Sequence, residues 1–163
     1  MNISRFQRMK DVNYAGFEIL DLTEQALKQI RKEMKEYEGI ETGGPLVGYI
    51  EGDKIVVTNA AGPGPNGIRK HNSVVIDGKY ATDFCYEFQK KSDGQLYYVG
   101  DWHVHPINYL YLSKKDLKAG VIMLNDNVCV VPYFLSIIIY NKTLKGYRID
   151  SKRRFKELIT HVI

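Results

Sequence analysis

The sequence predicts a single α/β domain with a mixed β-sheet and flanking helices. Its 163 residues fit one domain that is large enough to bury a core of its own. Segments with the periodicity of helices alternate with segments that have the composition of strands. Some neighbouring strands are separated by only a few residues, and such tight connections allow only antiparallel pairing. A mixed α/β sheet satisfies all three observations.

The N-terminal half begins with a predicted helix over residues 21–37, where apolar side chains recur at three- and four-residue spacing. Asp21 and Glu24 resemble a capping box at the start of this helix. Two strands follow at residues 46–50 and 54–59, and a short turn joins them into a hairpin.

A run rich in glycine and proline, residues 61–67, predicts an irregular and mobile loop. Beyond this loop, apolar periodicity and turn residues predict two further helices and a set of strands. These elements are a helix at 77–91, a strand at 95–105, a helix that starts near Ser113, strands within 128–140 and at 144–149, and a short terminal helix or tail.

The composition predicts a cytoplasmic protein without a membrane span. The longest apolar stretches, residues 128–131 and 134–140, are too short to cross a bilayer core of about 30 Å. Residues 1–14 carry charges throughout and lack the apolar segment of a signal peptide. The two cysteines, Cys85 and Cys129, fall in apolar patterns and are predicted to be buried free thiols.

The charge balance does not favour nucleic acid as a partner. The chain has 23 Lys and Arg against 19 Asp and Glu, a net charge of +4, and basic residues cluster near both ends. Such clusters can steer an acidic partner or nucleic acid, but solvated terminal charge explains them better.

The segment from Gly100 to Pro106 carries the most informative pattern. His103 and His105 lie two positions apart in a predicted strand, so both imidazoles point to one face of the sheet. Pro106 ends that strand, and Asp116 follows in the first turn of the next helix. Two imidazoles, one carboxylate and an open position form the ligand set of a catalytic zinc site. The pattern therefore predicts one Zn²⁺ per chain, held by His103, His105 and Asp116.

Each part of this pattern also has a simpler interpretation. Two histidines on a strand are often ordinary surface residues, and Ser113 with Asp116 is also a plain helix capping box. The combination favours a metal site, because only four histidines exist in the chain and two of them converge with a carboxylate. Spacing alone has only moderate specificity for a metal site.

The same residues resemble a known family motif. His103, His105, seven intervening residues, Ser113, two more residues and Asp116 match the JAMM motif position for position. Residues 41–48, which begin with Glu41, resemble the segment that carries the catalytic glutamate of the JAMM (MPN-domain) zinc metalloproteases. The chain is especially similar to prokaryotic JAB-domain isopeptidases, which occur with ubiquitin-like conjugation genes in antiphage or mobile-element operons.

This resemblance covers roughly residues 17–149 and implies the MPN/JAMM fold, which is cytidine-deaminase-like. Residues 1–16 would then be an N-terminal arm, 17–149 the metalloprotease domain, and 150–163 a basic C-terminal tail or short helix. The implied activity is cleavage after the C-terminus of a ubiquitin-like modifier, from a conjugate or from a precursor. The implied partners are that modifier or its conjugate, and the ubiquitin-activating-like and conjugating-like enzymes of the same operon.

The resemblance also assigns roles to individual residues. Glu41 would accept a proton from the attacking water and later deliver it to the leaving amine, and Ser113 would donate a hydrogen bond to the oxyanion. Asp101 either orients a ligand histidine or is a surface acid, and both interpretations stay open. Trp102 and Val104 should face away from the histidines and pack into the core.

Two features of the sequence depart from the family pattern. Pro45 stands where an aliphatic residue is usual, and residues 107–112 are aromatic and apolar where relatives are richer in glycine, proline and polar residues.

Three alternative functions stay open. They are a noncatalytic MPN scaffold, a RadC-like protein associated with nucleic acid, and a hydrolase that processes a small sulfur-carrier protein. Scaffold relatives lack one or more metal ligands, so the complete ligand set favours the enzyme.

Overall fold

A mixed eight-stranded sheet organises the computed structural model, which describes residues 13–163. Three helices surround this sheet in the described part of the chain: α1 (Glu24–Glu36), α2 (Gly78–Lys91) and α3 (Lys114–Asn125). The strands are β1 (Ile19–Leu22), β2 (Gly43–Glu51), β3 (Lys54–Ala60), β4 (Ile68–Arg69), β5 (Val74–Val75), β6 (Tyr97–Val104), β7 (Tyr133–Tyr140), β8 (Thr143–Asp150), β9 (Phe155–Glu157) and β10 (Ile159–Val162). The predicted mixed α/β domain is confirmed.

The strand order in the large sheet is β10-β1-β3-β2-β6-β7-β8-β9, and β4 and β5 form a separate small hairpin. Tight turns join β2 to β3 and β7 to β8, and both pairs are antiparallel as predicted. Strand β6 lies in the middle, antiparallel to β2 and parallel to β7. The predicted strand that carries the histidines is therefore anchored on both sides.

The two faces of the sheet bury different cores. One core contains α1 side chains together with Trp102, Leu135 and Ile137, and α1 packs against β3. The other core contains Phe134, Ile138 and Tyr147, with side chains of α3 packed against them. Burial of each such side chain contributes roughly 1.5 to 3 kcal/mol, so both faces hold β6 and β7 in place.

A β-bulge at Gly100 sets which residues of β6 face which core. Leu46 pairs with Gly100 and Val47 pairs with Tyr98, so β6 carries one extra residue at this point. Gly100 has a φ of +156°, and a Cβ there would lie 1.9 Å from the carbonyl oxygen of Leu135, so only glycine fits. Beyond the bulge, Trp102 points into the α1 core and His103 points to the α3 side.

Two element boundaries differ from the sequence predictions. Asp21 belongs to β1, between β3 and β10, so the predicted capping box is wrong. The N-cap of α1 is Thr23, whose side chain accepts a hydrogen bond from the backbone N–H of Ala26. Strand β7 starts only at Tyr133 and not at 128, since Pro132 has no N–H with which to join the ladder.

The C-terminal segment also differs from its prediction as a basic tail or short helix. Strand β9 pairs with β8, Leu158 donates its backbone N–H to the carbonyl of Gly146, and β10 pairs with β1. The isoleucine-, threonine- and valine-containing run of β10 favours a strand because branched side chains pack well on a pleated surface. The sheet therefore curls so that its two edge strands, β9 and β10, are neighbours along the chain.

Most of the predicted N-terminal arm, residues 1–12, lies outside the described residues. The division of the chain at residues 16 and 149 stays a prediction. No helix in the described part of the chain is long and apolar enough to cross a membrane.

Candidate metal centre

Three of the predicted site residues meet at one edge of β6. The Nε2 atoms of His103 and His105 lie 3.0 Å apart. The Asp116 carboxylate approaches both, with Oδ1 at 3.1 Å from His103 Nε2 and Oδ2 at 3.4 Å from His105 Nε2. Within residues 13–163 these three side chains form the one group of His, Cys, Asp or Glu whose donor atoms converge, all within 4.8 Å of one another.

Backbone pairing continues past the end of β6 and orders the second histidine. Val104 donates its N–H to the carbonyl of Thr42 at 2.8 Å, and His105 donates its N–H to the carbonyl of Ile139 at 2.9 Å. Nδ1 of His105 lies 2.5 Å from the carbonyl oxygen of Tyr109. A carbonyl only accepts, so Nδ1 carries a proton, and in the neutral imidazole the lone pair is on Nε2, toward His103 and Asp116. The loop thus selects the tautomer that a metal ligand needs.

Asp116 is held by the start of α3. Its backbone N–H donates to Ser113 Oγ at 3.1 Å, and its Oδ2 accepts from the Ser113 backbone N–H at 2.8 Å, which is a complete capping box. The two interpretations of Ser113 and Asp116 are therefore compatible, since the cap fixes the carboxylate that faces the histidines.

The charges in this group are strongly coupled. Burial acts to raise the pKa of Asp116, but hydrogen bonds from His103 and His105 outweigh it and hold that pKa well below its usual range. Burial acts to lower the pKa of His105, whereas the hydrogen bond to Asp116 raises it, and the balance is a raised pKa. Asp116 is thus an ionised carboxylate beside two imidazoles.

Glu41 lies beside these three residues, in the segment between α1 and β2. It is half-buried, and burial raises the pKa of its carboxyl group above the usual 4.5, against the opposing effects of His103 and His105. Its backbone N–H donates to the carbonyl of Lys70 at 2.9 Å. Glu41 is thus close enough to respond to the histidines and is not among the three converging donors.

Gly43 lets the Glu41 segment approach β6, and Gly44 lets it approach the loop after β3. A Cβ on Gly43 would lie 2.3 Å from the carbonyl oxygen of Trp102, and one on Gly44 would lie 1.9 Å from that of Ala61. Gly43 pairs directly with His103 across the sheet. Any larger residue would push β2 away from β6, and Glu41 away from the histidines.

The structure shows the surroundings of Asp101, for which the sequence left two interpretations open. Its Oδ1 accepts a hydrogen bond from the hydroxyl of Tyr98 at 2.9 Å, and burial raises the pKa of the Asp101 carboxyl to about 6. His103 acts in the opposite direction, so the carboxylate lies near that imidazole. Asp101 is therefore partly buried beside His103, and the alternation of β6 did not reveal its Tyr98 partner because the bulge intervenes.

The remaining predicted residues take the following places. Trp102 is 1% exposed in the α1 core, as expected, and its indole N–H donates to the carbonyl of Ala61 at 2.9 Å. Between the ligands, Ile107 and Tyr111 are 66% and 58% exposed, whereas Leu112 is buried. The loop therefore offers apolar side chains to solvent beside the candidate metal centre. His161 contacts Asp21 at 3.3 Å, remote from the site.

The donor set suits zinc. Two nitrogens and one carboxylate are common zinc ligands, and two ligands at roughly 2.1 Å from a tetrahedral zinc lie about 3.4 Å apart. The 3.0 Å between the two Nε2 atoms needs a shift of only a few tenths of an ångström to reach that spacing. Two imidazoles and a carboxylate alone leave a fourth position for water or substrate.

Two curated bacterial proteins, both named CD-NTase/cGAS isopeptidase, are similar to this chain. The Escherichia coli protein is 26% identical over 126 residues, which are 76% of this chain and 79% of that protein. The Vibrio cholerae serotype O1 protein is 32% identical over 76 residues, 47% of this chain and 49% of that protein. No protein-family model matches the chain. The relatives confirm the resemblance to prokaryotic isopeptidases.

A solution structure of a Desulfitobacterium hafniense protein has a similar fold. It covers 88% of this chain and 92% of its own, with a TM-score of 0.63 and 16% sequence identity. At that identity the likeness extends to the fold alone, which is the mixed sheet with flanking helices.

Proposed function

We propose that this chain is a zinc-dependent isopeptidase of the JAMM type. The observation that carries the proposal is the convergence of His103 Nε2, His105 Nε2 and the Asp116 carboxylate, with Glu41 beside them. The similarity to two bacterial isopeptidases supports the same reaction class. His103, His105 and Asp116 would hold one Zn²⁺, which when bound supplies the Lewis acidity that polarises an amide carbonyl and acidifies water.

Glu41 moves the proton in this reaction. Its carboxylate accepts a proton from the water that adds to the amide carbonyl, and it returns that proton to the amine nitrogen as the C–N bond breaks. The products are a carboxylic acid and an amine, which exchange a proton to give a carboxylate and an ammonium group, so atoms and charges balance. The raised pKa of Glu41 suits this role, because it brings the carboxyl group closer to the pH at which it must both take up and release a proton.

Ser113 stabilises the oxygen of the addition intermediate. Its Oγ already accepts from the backbone N–H of Asp116, which leaves the hydroxyl hydrogen free to donate. A donor of this kind contributes about 3 to 4 kcal/mol in comparable sites. The capping box holds Oγ in place, so little reorganisation is needed during the reaction.

The substrate is an isopeptide-linked protein conjugate. The family resemblance indicates a ubiquitin-like modifier on the carbonyl side of the bond, and the names of the relatives indicate a conjugate that contains a CD-NTase/cGAS-like enzyme. The exposed Ile107 and Tyr111 would contact one of the joined proteins beside the scissile bond. The partners are then the conjugate and the activating-like and conjugating-like enzymes that make it.

The first test is the metal content of purified protein, measured by elemental mass spectrometry. We expect one zinc per chain in the wild type and loss of zinc in His103→Ala and Asp116→Ala. His71→Ala serves as a matched control, because this histidine is exposed and lies outside the converging group. Wild-type protein that takes up no divalent ion, even when metal is offered during refolding, would overturn the proposal in favour of a noncatalytic scaffold.

The second test is cleavage of two reporter conjugates. In one, a ubiquitin-like modifier is joined through its C-terminus to the lysine of a reporter; in the other, a CD-NTase/cGAS-like enzyme is joined in the same way. We expect wild-type protein to release at least one reporter, and Glu41→Gln to keep its zinc and release neither. Zinc-loaded protein that cleaves neither conjugate contradicts the proposed substrates, and Glu41→Gln with full activity contradicts the mechanism.

A further inference from the structure

A buried cluster of Glu33, Thr42 and Arg69 lies behind Glu41. One oxygen of Glu33, Oε1, accepts two hydrogen bonds, from Thr42 Oγ1 at 2.6 Å and from Arg69 Nε at 2.8 Å, and it forms an ion pair with Arg69 Nη2 at 2.6 Å. Arg69 Nε also donates to Thr42 Oγ1 at 3.2 Å. The side chains of Arg69 and Glu33 are only 17% and 12% exposed, and Thr42 is buried.

The cluster joins segments that are far apart in the chain. Glu33 comes from α1, Thr42 immediately precedes β2 and Arg69 comes from β4. The guanidinium of Arg69 stacks on the ring of Tyr37 at 3.6 Å from its centroid. Gly62, in the loop after β3, packs so closely on the Glu33 carboxylate that a Cβ there would lie 2.8 Å from it. The ion pair is therefore enclosed from several sides.

Two backbone hydrogen bonds connect this cluster to the candidate active site. Glu41 donates its N–H to the carbonyl of Lys70, the residue next to Arg69, at 2.9 Å. The carbonyl of Thr42 accepts from the N–H of Val104, which lies between the two histidines, at 2.8 Å. The backbone is thus hydrogen-bonded to the β4–β5 hairpin at Glu41 and to β6 at Thr42, the next residue. The cluster connects these two attachments, because it contains both Thr42 and Arg69, the neighbour of Lys70.

We propose that the Glu33–Arg69 ion pair positions the Glu41 carboxylate over the metal centre. This inference rests on the proposed function, because it treats Glu41 as the proton carrier. The pair acts through the backbone on both sides of Glu41 and supplies none of the three converging metal donors. Arginine is required because its planar fork reaches Glu33 with two nitrogens and Thr42 with one of them, which a lysine ammonium on a flexible stem cannot reproduce.

A stabilising role alone would not explain this arrangement. Buried ion pairs contribute little net stability compared with apolar residues of the same volume. The test therefore combines hydrogen exchange at the Glu41 amide with kinetics that measure kcat and KM separately.

The central variant is Arg69→Lys in the full chain, with Arg154→Lys as the matched control. Arg154 also pairs with a carboxylate, that of Asp150 at 2.7 Å, but its side chain is 73% exposed. Thr42→Val is the second variant, because it removes the hydroxyl that connects both members of the ion pair to the residue after Glu41. It keeps the proposal testable if Arg69→Lys fails to fold.

The first readout is hydrogen exchange of the Glu41 amide, which needs no activity. We expect exchange about tenfold faster or more in Arg69→Lys and Thr42→Val, unchanged exchange in Arg154→Lys, and full zinc content in all three. The second readout is cleavage of the reporter conjugate. We expect kcat to fall about 10- to 100-fold with KM within twofold, and no further fall when Arg69→Lys is added to a Glu41→Asp background.

The outcomes separate this inference from the proposed function. Unchanged Glu41 exchange, a change confined to KM, loss of zinc, or additive effects with Glu41→Asp would each overturn the positioning role. A wild type without isopeptidase activity would overturn the proposed function, and the amide exchange would still decide whether the pair positions Glu41.

Discussion

The two faces of β6 bury side chains of opposite character. On the α1 side, Trp102 is almost completely buried among aliphatic residues, and its one polar atom is satisfied by the carbonyl of Ala61. On the α3 side, Asp101 and His103 share their face with Ile138, and the polar groups are coupled to one another. One strand can thus separate stability from chemistry, because alternate residues serve different environments.

Removal of Asp116 should have the largest effect, and it should act on the polar face alone. Asp116→Ala removes a metal donor and one half of the capping box, so we expect no bound zinc and a cleavage rate reduced by about a thousandfold or more. Elemental mass spectrometry and the conjugate assay check this. A variant that keeps both zinc and activity would show that the converging group is not the metal site.

Truncation of Trp102 should act on the apolar face. Trp102→Ala leaves a cavity in the α1 core, and we expect a loss of about 3 to 5 kcal/mol in the free energy of unfolding. Denaturant titration followed by far-UV circular dichroism measures it. His103→Ala is the control from the opposite face of the same strand. If the two variants lose the same stability, the two faces are not separable in the way described.

Loss of the Ser113 hydroxyl should affect both stability and catalysis. Ser113→Ala removes the N-cap of α3 and the oxyanion donor, so we expect about 1 kcal/mol of lost stability and a roughly 100-fold lower kcat. Thr23→Ala removes the N-cap of α1 at a similar cost in stability, far from the site. Equal kcat values for the two variants would mean that Ser113 is only a cap.

The pH dependence should report on Glu41. Burial raises the pKa of its carboxyl group above 4.5, and the charge of Lys115 opposes that rise. Below its pKa Glu41 is protonated and cannot accept a proton, so the acid limb of kcat should follow this pKa. Lys115→Met removes the opposing charge and should move the limb up by roughly a few tenths of a pH unit, whereas Lys118→Met should not. A shift of the acid limb to lower pH in Lys115→Met would contradict the predicted direction.

The smallest effect is expected at Cys85, on α2. Burial, with a smaller contribution from Asp101, raises the pKa of the Cys85 thiol to about 12. Only about one molecule in ten thousand then carries a thiolate at pH 8. Iodoacetamide at that pH should leave Cys85 unmodified in the folded chain and alkylate it in guanidinium, as mass spectrometry would show. Fast alkylation of the folded chain would mean that solvent enters behind the metal centre.

The sequence could predict those parts of the molecule that depend on local spacing. The two-residue separation of His103 and His105 predicts their common face, and the capping pattern at Ser113 predicts the start of α3. The convergence of both histidines with Asp116 could therefore be predicted from the sequence. The cap of α1 was misplaced by two residues because Asp21 is as compatible with a strand that has a lysine partner as with a helix start. Zinc itself remains a prediction.

Other parts depend on contacts that local patterns do not encode. Glu33 and Arg69 are separated by more than thirty positions, and no periodicity links them. The bulge at Gly100 breaks the two-residue alternation, so the contact of Tyr98 with Asp101 is not readable from spacing. Strands β9 and β10 are too short for a clear pattern, and only their pairing with β8 and β1 makes them strands.

The way the C-terminal segment closes the sheet has a consequence for biosynthesis. Strand β1 pairs on one side with β10, in a register that joins Ile19 to Ile159. A nascent chain that has exposed β1 outside the ribosome must therefore wait until β10 has been synthesised before this edge finds its native partner. During that interval the apolar strand is open to pairing with other chains, so its dependence on chaperones should be greatest late in translation.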